Sequence, residues 1–199
     1  MNKPEIELFY PETKQHWRKW LAENHRHKDA VWLIFYNKKS TKATISWSDA
    51  VDEALCFGWI DSKAETLDGE SHRHYFCKRK PNSTWSKINK QKIETLTEKG
   101  LMTKAGFEVI ELAKQNGSWT ILDEVEELII PSELEKAFEK FENSGDYFSS
   151  LSKSKKKVLL QWIALARTET TRQKRIFEIA ESASQEQQPK QFRPKKDGI

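Results

Sequence analysis

The chain has 199 residues, 34 Lys+Arg against 30 Asp+Glu, 37% hydrophobic and 32% charged residues, with eight Trp and ten Phe. That is enough length and aromatic area to bury the core of one domain with a helical appendage. No apolar run reaches the 18 residues of a membrane span, and MNKPEIELFYPETKQHW lacks the basic-then-apolar order of a secretory signal, so the expected compartment is the cytoplasm.

Residues 11–24 predict a helix that Pro11 starts and Asn24 stops, with Trp17, Trp20 and Leu21 as its apolar stripe. AVWLIFY (Ala30–Tyr36) is apolar on both faces and rich in β-formers, the pattern of a central strand covered on both sides. Lys38, Lys39 and Lys42 fall in the polar loop that follows. A second helix has Val51, Ala54, Leu55 and Gly58 at spacing 0, 3, 4, 7, with Ser46 and Asp49 as an N-cap pair. At about 100° per residue, Asp49, Asp52 and Glu53 fall on the side opposite Val51 and Leu55, which predicts a solvated acidic face. Asp52 lies nearest the apolar boundary and is the candidate acid of that face.

Alternation over Trp59–Ala64 and again over His74–Lys80, with turn chemistry at Asp68-Gly69, predicts a hairpin. Its register is open, because a slip of one residue exchanges the two faces. Either register brings Asp61 within reach of Lys78 or Arg79. Such a pair forms an ordinary cross-strand ion pair, or one wall of a polar pocket whose aromatic sides are Trp59 and Trp85.

Beyond Thr84 the pattern is helical. Residues 86–99 place Ile88, Lys92, Thr95 and Leu96 on one line, and 103–116 carry Phe107, Ile110, Leu112 and Ala113. A Glu-rich loop leads to a helix opened by Pro131-Ser132. Ser152 caps a helix with Leu159, Trp162, Ile163 and Ala166 on its stripe. Thr170 with Gln173 forms the capping box of another, carrying Ile176, Ile179, Ala180 and Ala183. The expected fold is α+β: a small sheet of about three strands with packed helices, then an all-helical C-terminal half. The expected division is an α+β core with helical extension over 1–145, a helical pair over 146–183, and a disordered tail over 184–199, rich in Gln, Lys and Pro.

Cys56 and Cys77 sit among apolar neighbours as inert thiols. His72 and His74, with Cys77, supply only part of a zinc set; no CxxC or HExxH motif completes it, so no metal or cofactor is expected. Residues 151–199 carry 12 basic and five acidic residues, net +7. Lys153, Lys155, Lys156, Lys157, Arg172, Lys174 and Arg175 are therefore the candidate contacts for a polyanion such as nucleic acid, although no recognition motif accompanies them.

The chain resembles the YdeI/OmpD-associated, or bacteriocin-protection, family. The matching pieces are Trp17–Leu21 with Asn24-His25, VWLIFYNKKS (31–40), WSDAVDEALCFGWIDS (47–62), FCKRKPNSTWSKIN (76–89), GLMTKAG (100–106) and FSSLSKSKKKVLLQWIALARTETTRQKRI (148–176). The resemblance implies tolerance of bacteriocins or antimicrobial peptides and association with an outer-membrane porin; relatives have been predicted periplasmic. It supplies no catalytic residues.

Two classes of function follow. One is a non-enzymatic protein that binds a small molecule or protein partner through Trp59, Asp61, Arg79 and Trp85, with Lys38 and Lys39 nearby. The other is an enzyme on a small anionic substrate, with Asp52 or Asp61 as proton carrier and Arg79 orienting the anion. Nucleic-acid binding through the basic C-terminal helices is a third reading.

Overall fold

The computed structural model describes residues 6–193, and packing divides the chain into two compact units, 1–119 and 120–199. The N-terminal unit runs β1 (Leu8–Phe9), α1 (Lys14–Asn24), β2 (Ala30–Tyr36), α2 (Trp47–Cys56), β3 (Trp59–Thr66), β4 (Ser71–Lys78), α3 (Lys87–Glu98) and α4 (Lys104–Gln115). The sheet has four strands, one more than expected, in the order β1-β2-β4-β3. The extra strand is β1, two residues long and parallel to β2. A run that short carries no periodic signal.

β2 is central, as its composition predicted. Val31, Leu33 and Phe35 point toward the helices and are buried with Phe76 of β4. Trp17 of α1 meets Phe76 edge-on with ring centroids 5.6 Å apart, and Trp20 meets Trp59 at 5.8 Å. On the other face Trp32 is covered by the sheet's own cations. Arg73 lies 4.3 Å and Lys63 4.7 Å from its ring, and both bind Glu65. Ile34 and Tyr36 on that face stay half-buried, so β2 is less completely covered than its sequence predicts.

The hairpin register is Trp59↔Lys78, Ile60↔Cys77, Asp61↔Phe76 and then Lys63↔Tyr75, with an irregularity between Asp61 and Lys63. Asp68 closes the turn by accepting from the backbone N–H groups of Glu70 and Ser71. Ser46 caps α2 as predicted: its Oγ accepts from Asp49 N at 3.0 Å and donates to the Asp49 carboxylate at 2.6 Å. In α3 the buried residues are Ile93 and Leu96, while Ile88, which the sequence places on one line with Leu96, is exposed. In α4, Gly106, Ile110 and Ala113 are buried, and Phe107 and Leu112 are not. Both helices offer more apolar residues than one contact face covers.

The corner from α2 to β3 depends on two glycines. Gly58 has φ +73°, a conformation costly for residues with a Cβ, and a Cβ there would stand 2.8 Å from Val109. Gly106 lets α4 seat directly on the end of α2, where a Cβ would stand 2.5 Å from the Cys56 carbonyl oxygen. That oxygen accepts from both the N–H (3.1 Å) and the hydroxyl (2.7 Å) of Thr103.

The C-terminal unit holds α5 (Asp123–Glu126), α6 (Ser132–Phe138), α7 (Ser144–Ser150), α8 (Lys153–Ala164), α9 (Glu169–Ser184) and a 3-10 turn (Lys190–Phe192). The stripe Ile176, Ile179, Ala180 and Ala183 is buried, and α6, α7 and α8 all pack on α9. Residues 120–145 thus belong by packing with the C-terminal pair. Ser152 caps α8 as predicted, whereas α9 is capped by Thr168, which accepts from Thr171 N at 3.2 Å; the boundary lies two residues before the expected Thr170. Two overlapping Ser/Thr registers are equivalent by spacing, and the extended backbone at Thr168 selects between them. Beyond α9, Pro189 is buried and the Phe192 ring meets Trp162 edge-on at 5.3 Å. The rest of the expected tail, 194–199, lies outside the described residues.

Candidate functional site

The acidic face predicted for α2 does not stay in water. Asp49 is half-exposed, but Glu53 is only 2% exposed. Arg18 donates to its Oε2 at 2.6 Å, and Lys14 stands 3.5 Å from its Oε1. Arg18 also donates to the Leu101 carbonyl and lies over the Phe57 ring. Because α1 packs beside α2, the angular window predicted as solvent-facing is covered by another helix. The neighbouring Cys56 thiol is pushed up to about 11, first by burial and then by the Glu53 carboxylate, with Arg18 acting the other way. A thiol so placed keeps its proton at neutral pH and is a poor nucleophile.

A different situation surrounds Arg79, the first residue after β4. Its backbone N–H bonds to the Gly58 carbonyl, which fixes it at the α2–β3 corner. The side chain is 7% exposed, with its guanidinium carbon 3.5 Å from the centre of the Trp85 ring, and Nη2 donates to the Thr84 carbonyl. Nε and Nη1 are buried and have no hydrogen-bond partner among the described residues, and the same holds for the indole Nε1 of Trp59. Burial draws the Arg79 guanidinium down to about 10, with Asp61 and Cys77 opposing that shift. A buried cation with open donors is costly unless something supplies an acceptor.

Arg79 and Trp59 belong to the lining of one open recess of about 460 Å³, with His25, Arg26, Phe57, Gly58, Lys78, Ala105, Glu108 and Val109. Its size lies in the range of small-molecule sites. Lys78 is engaged, donating to Asp29 at 2.9 Å and to the Arg26 carbonyl at 3.0 Å. His25 Nδ1 lies 2.8 Å from the Leu21 carbonyl. Glu108 stands at the exposed rim, 3.8 Å from Lys104. The sequence places Trp59 and Arg79 in one candidate set with Asp61 and Trp85, but gives no sign of Phe57, Ala105 or Val109. Gly58 and Gly106 were the available signal: two glycines that permit close approach mark where α4 roofs the corner.

The remaining predicted site residues separate. Trp85 lies under Arg79 and is buried in the core against Trp119, outside the cavity wall. Asp61 accepts from the Trp47 indole N–H at 2.9 Å and makes no direct ion pair with Arg79, although its charge still acts on that guanidinium. Asp52 binds Lys92 at 2.5 Å and lines another recess, of about 240 Å³, between α2 and α3. Lys38 and Lys39 follow the Tyr36 end of β2. Arg79 lies past the Ala30 end, so about 20 Å of strand separates them. Neither proposed proton carrier thus lies in the Arg79 cavity. His72 and His74 share the inner face beside Phe35, and Cys77 lies on the other face. Among the described residues no three His, Cys, Asp or Glu side chains converge as metal ligands do.

The basic C-terminal residues are largely engaged within the unit. Lys156 donates to the Ser149 carbonyl, Lys157 pairs with Glu126 at 2.5 Å, and Arg172 lies 3.5 Å from Glu133. Arg175 donates to the Trp162 carbonyl and lies over its ring. Lys153, Lys155 and Lys174 are exposed. Arg175 meets the last turn of α8, whereas Lys153 opens that helix nine residues earlier, about 14 Å along the axis. The seven cations do not form one cluster.

Fold and cavity together define an α+β protein whose N-terminal unit holds a small recess with a buried, incompletely bonded arginine. Comparison with known families adds a second level. Residues 9–109 match the family described as a domain of unknown function (DUF8412), and the chain belongs to that family. Residues 127–186 match the family described as bacteriocin-protection, YdeI or OmpD-associated, which bears out that resemblance on this segment. Each match falls inside one compact unit. The WSDAVDEALCFGWIDS motif therefore lies in the first family's segment. No curated protein and no solved structure matches the chain. Among the described residues no helix is long and apolar enough to cross a membrane.

Proposed function

We propose that this protein is a non-enzymatic binding protein of the cytoplasm, linked to bacteriocin or antimicrobial-peptide tolerance, whose binding site is the Arg79–Trp59 cavity. One observation carries the choice of site: a guanidinium more than nine-tenths buried keeps Nε and Nη1 without acceptors in the wall of a ligand-sized recess. A structural arginine would have its donors met by the fold. The description of the family that matches residues 127–186 supports the link to tolerance, and two free thiols suit a reducing compartment.

The test is complementation. A host lacking the protein and supplied with the wild-type gene regains tolerance of a bacteriocin; the same host supplied with Arg79→Met does not, and Lys174→Gln, on the exposed surface of α9, restores it fully. Equal tolerance with Arg79→Met and wild type would remove the cavity from the function.

A further inference from the structure

The inner face of the sheet carries a second polar cluster, none of whose residues lines the recess. Asp61 of β3 and His72 and His74 of β4 share that face. Asp61 stands opposite Phe76 and His74 opposite Ala64, so the carboxylate lies diagonally across the ladder from the His74 ring. The two imidazole centroids are 5.3 Å apart, and both rings meet Phe35 of β2, His72 at 5.6 Å and His74 at 5.1 Å. Trp47, the first residue of α2, completes the cluster. Its ring lies 6.4 Å from His74, and its indole N–H donates to Asp61 at 2.9 Å, which ties the start of α2 to β3. Trp47 is 47% exposed, so packing alone holds it weakly in place.

The charges that act on His74 belong to this cluster. Burial opposes a proton on its ring most, His72 opposes it further and Asp61 favours it, which leaves His74 below the ordinary histidine range. β2 offers Phe35 and α2 offers Trp47, neither of which takes up a proton. Asp49, in the first turn of α2, is engaged by Ser46 and Lys14. Asp61 is felt in turn by Arg79 and by the Cys77 thiol. While His74 is neutral, Asp61 accepts from the indole. Once protonated, His74 offers the carboxylate a charge-assisted bond, stronger than one from a neutral donor, and a half-buried cation left without a partner is costly. We infer that His74, Asp61 and Trp47 form an acid-sensitive latch. When His74 takes a proton, the Asp61 carboxylate turns from the indole to the imidazolium, and the start of α2 loses its side-chain tie to β3.

The experiment is a pH titration of the full chain, from roughly pH 7.5 to roughly pH 5, followed by NMR with ¹⁵N at the tryptophan indoles and ¹³C at the histidine rings. Trp47 and His74 are the signals absent from Trp47→Phe and His74→Gln. The Trp47 indole is expected to move toward the position of a free indole together with His74, at a midpoint below 6.5. At the acid end its N–H should exchange with water about five-fold faster than in His74→Gln, where no proton is taken up and the latch stays closed. His72→Gln should raise the proton affinity of His74 roughly two-fold, and Asp61→Asn should lower it. A Trp47 signal that stays still while His74 titrates overturns the inference, as does one that titrates unchanged in His74→Gln. Slower indole exchange at the acid end than in His74→Gln overturns it too, because the contact would then tighten. A His74 midpoint indifferent to both His72→Gln and Asp61→Asn removes the coupling on which the latch depends. These readouts are independent of the complementation result that judges the Arg79 recess.

Discussion

Two buried charges in the N-terminal unit are treated in opposite ways. Glu53, between α1 and α2, is closed off by Arg18 at 2.6 Å and Lys14 at 3.5 Å. Arg79, at the α2–β3 corner, is equally withdrawn from water but has one hydrogen bond, an aromatic ring beneath it and open donors. The first arrangement is complete within the chain and needs nothing further, so it reads as architecture. The second leaves two donors unmet by the chain, which is why the proposed site is placed there. Burial alone does not separate the two cases; the bonding inventory does.

The comparison can be broken most severely at Glu53. Arg18→Met leaves that carboxylate buried with only the longer contact to Lys14, and is expected to cost at least about 3 kcal/mol. Seven of the eight tryptophans lie in residues 1–119, so urea unfolding followed by indole fluorescence reports on this unit. A loss below about 1 kcal/mol would mean that the pair is not structural. Cys56 gives the next effect. Its thiol titrates near 9.0 when unfolded and near 11 when folded, so the folded state holds its proton longer. Stability from this group is full below pH 9 and falls as pH rises through 11, by about 2–3 kcal/mol. Cys56→Ala should flatten that limb of the stability profile.

Gly106→Ala sharpens the geometry between the two charges. Its methyl group meets the Cys56 carbonyl oxygen, a main-chain atom fixed by Thr103, and should cost about 2 kcal/mol in the same urea assay. Arg79→Met is expected to be the mildest. Removing a buried charge with open donors offsets the loss of its stacking and of one hydrogen bond, leaving stability within about 1 kcal/mol of wild type or above it. A melting temperature clearly below wild type would place Arg79 with Glu53, as architecture.

Local signals decided much of the chain. The Ser46 and Ser152 caps, the Trp17, Trp20 and Leu21 stripe, the apolar β2 run and the Asp68 turn each depend on a few adjacent residues, and each is found where the sequence put it. A helical wheel assigns faces relative to one another but does not say how many faces are covered. The wheel therefore predicts a solvated Glu53, which the fold buries, and does not tell exposed Ile88 from buried Leu96 on the same line. Period-2 alternation likewise fixes which residues share a side of a strand without fixing what lies opposite, so Asp61 and Arg79 read as an ion pair, whereas Asp61 is bonded by the Trp47 indole. Trp59 and Arg79 were legible as members of one candidate set with Asp61 and Trp85. The cavity joining them was not, because its wall comes from α1, the α2–β3 corner and α4, segments some eighty residues apart in sequence whose meeting depends on the bare backbone at Gly58 and Gly106.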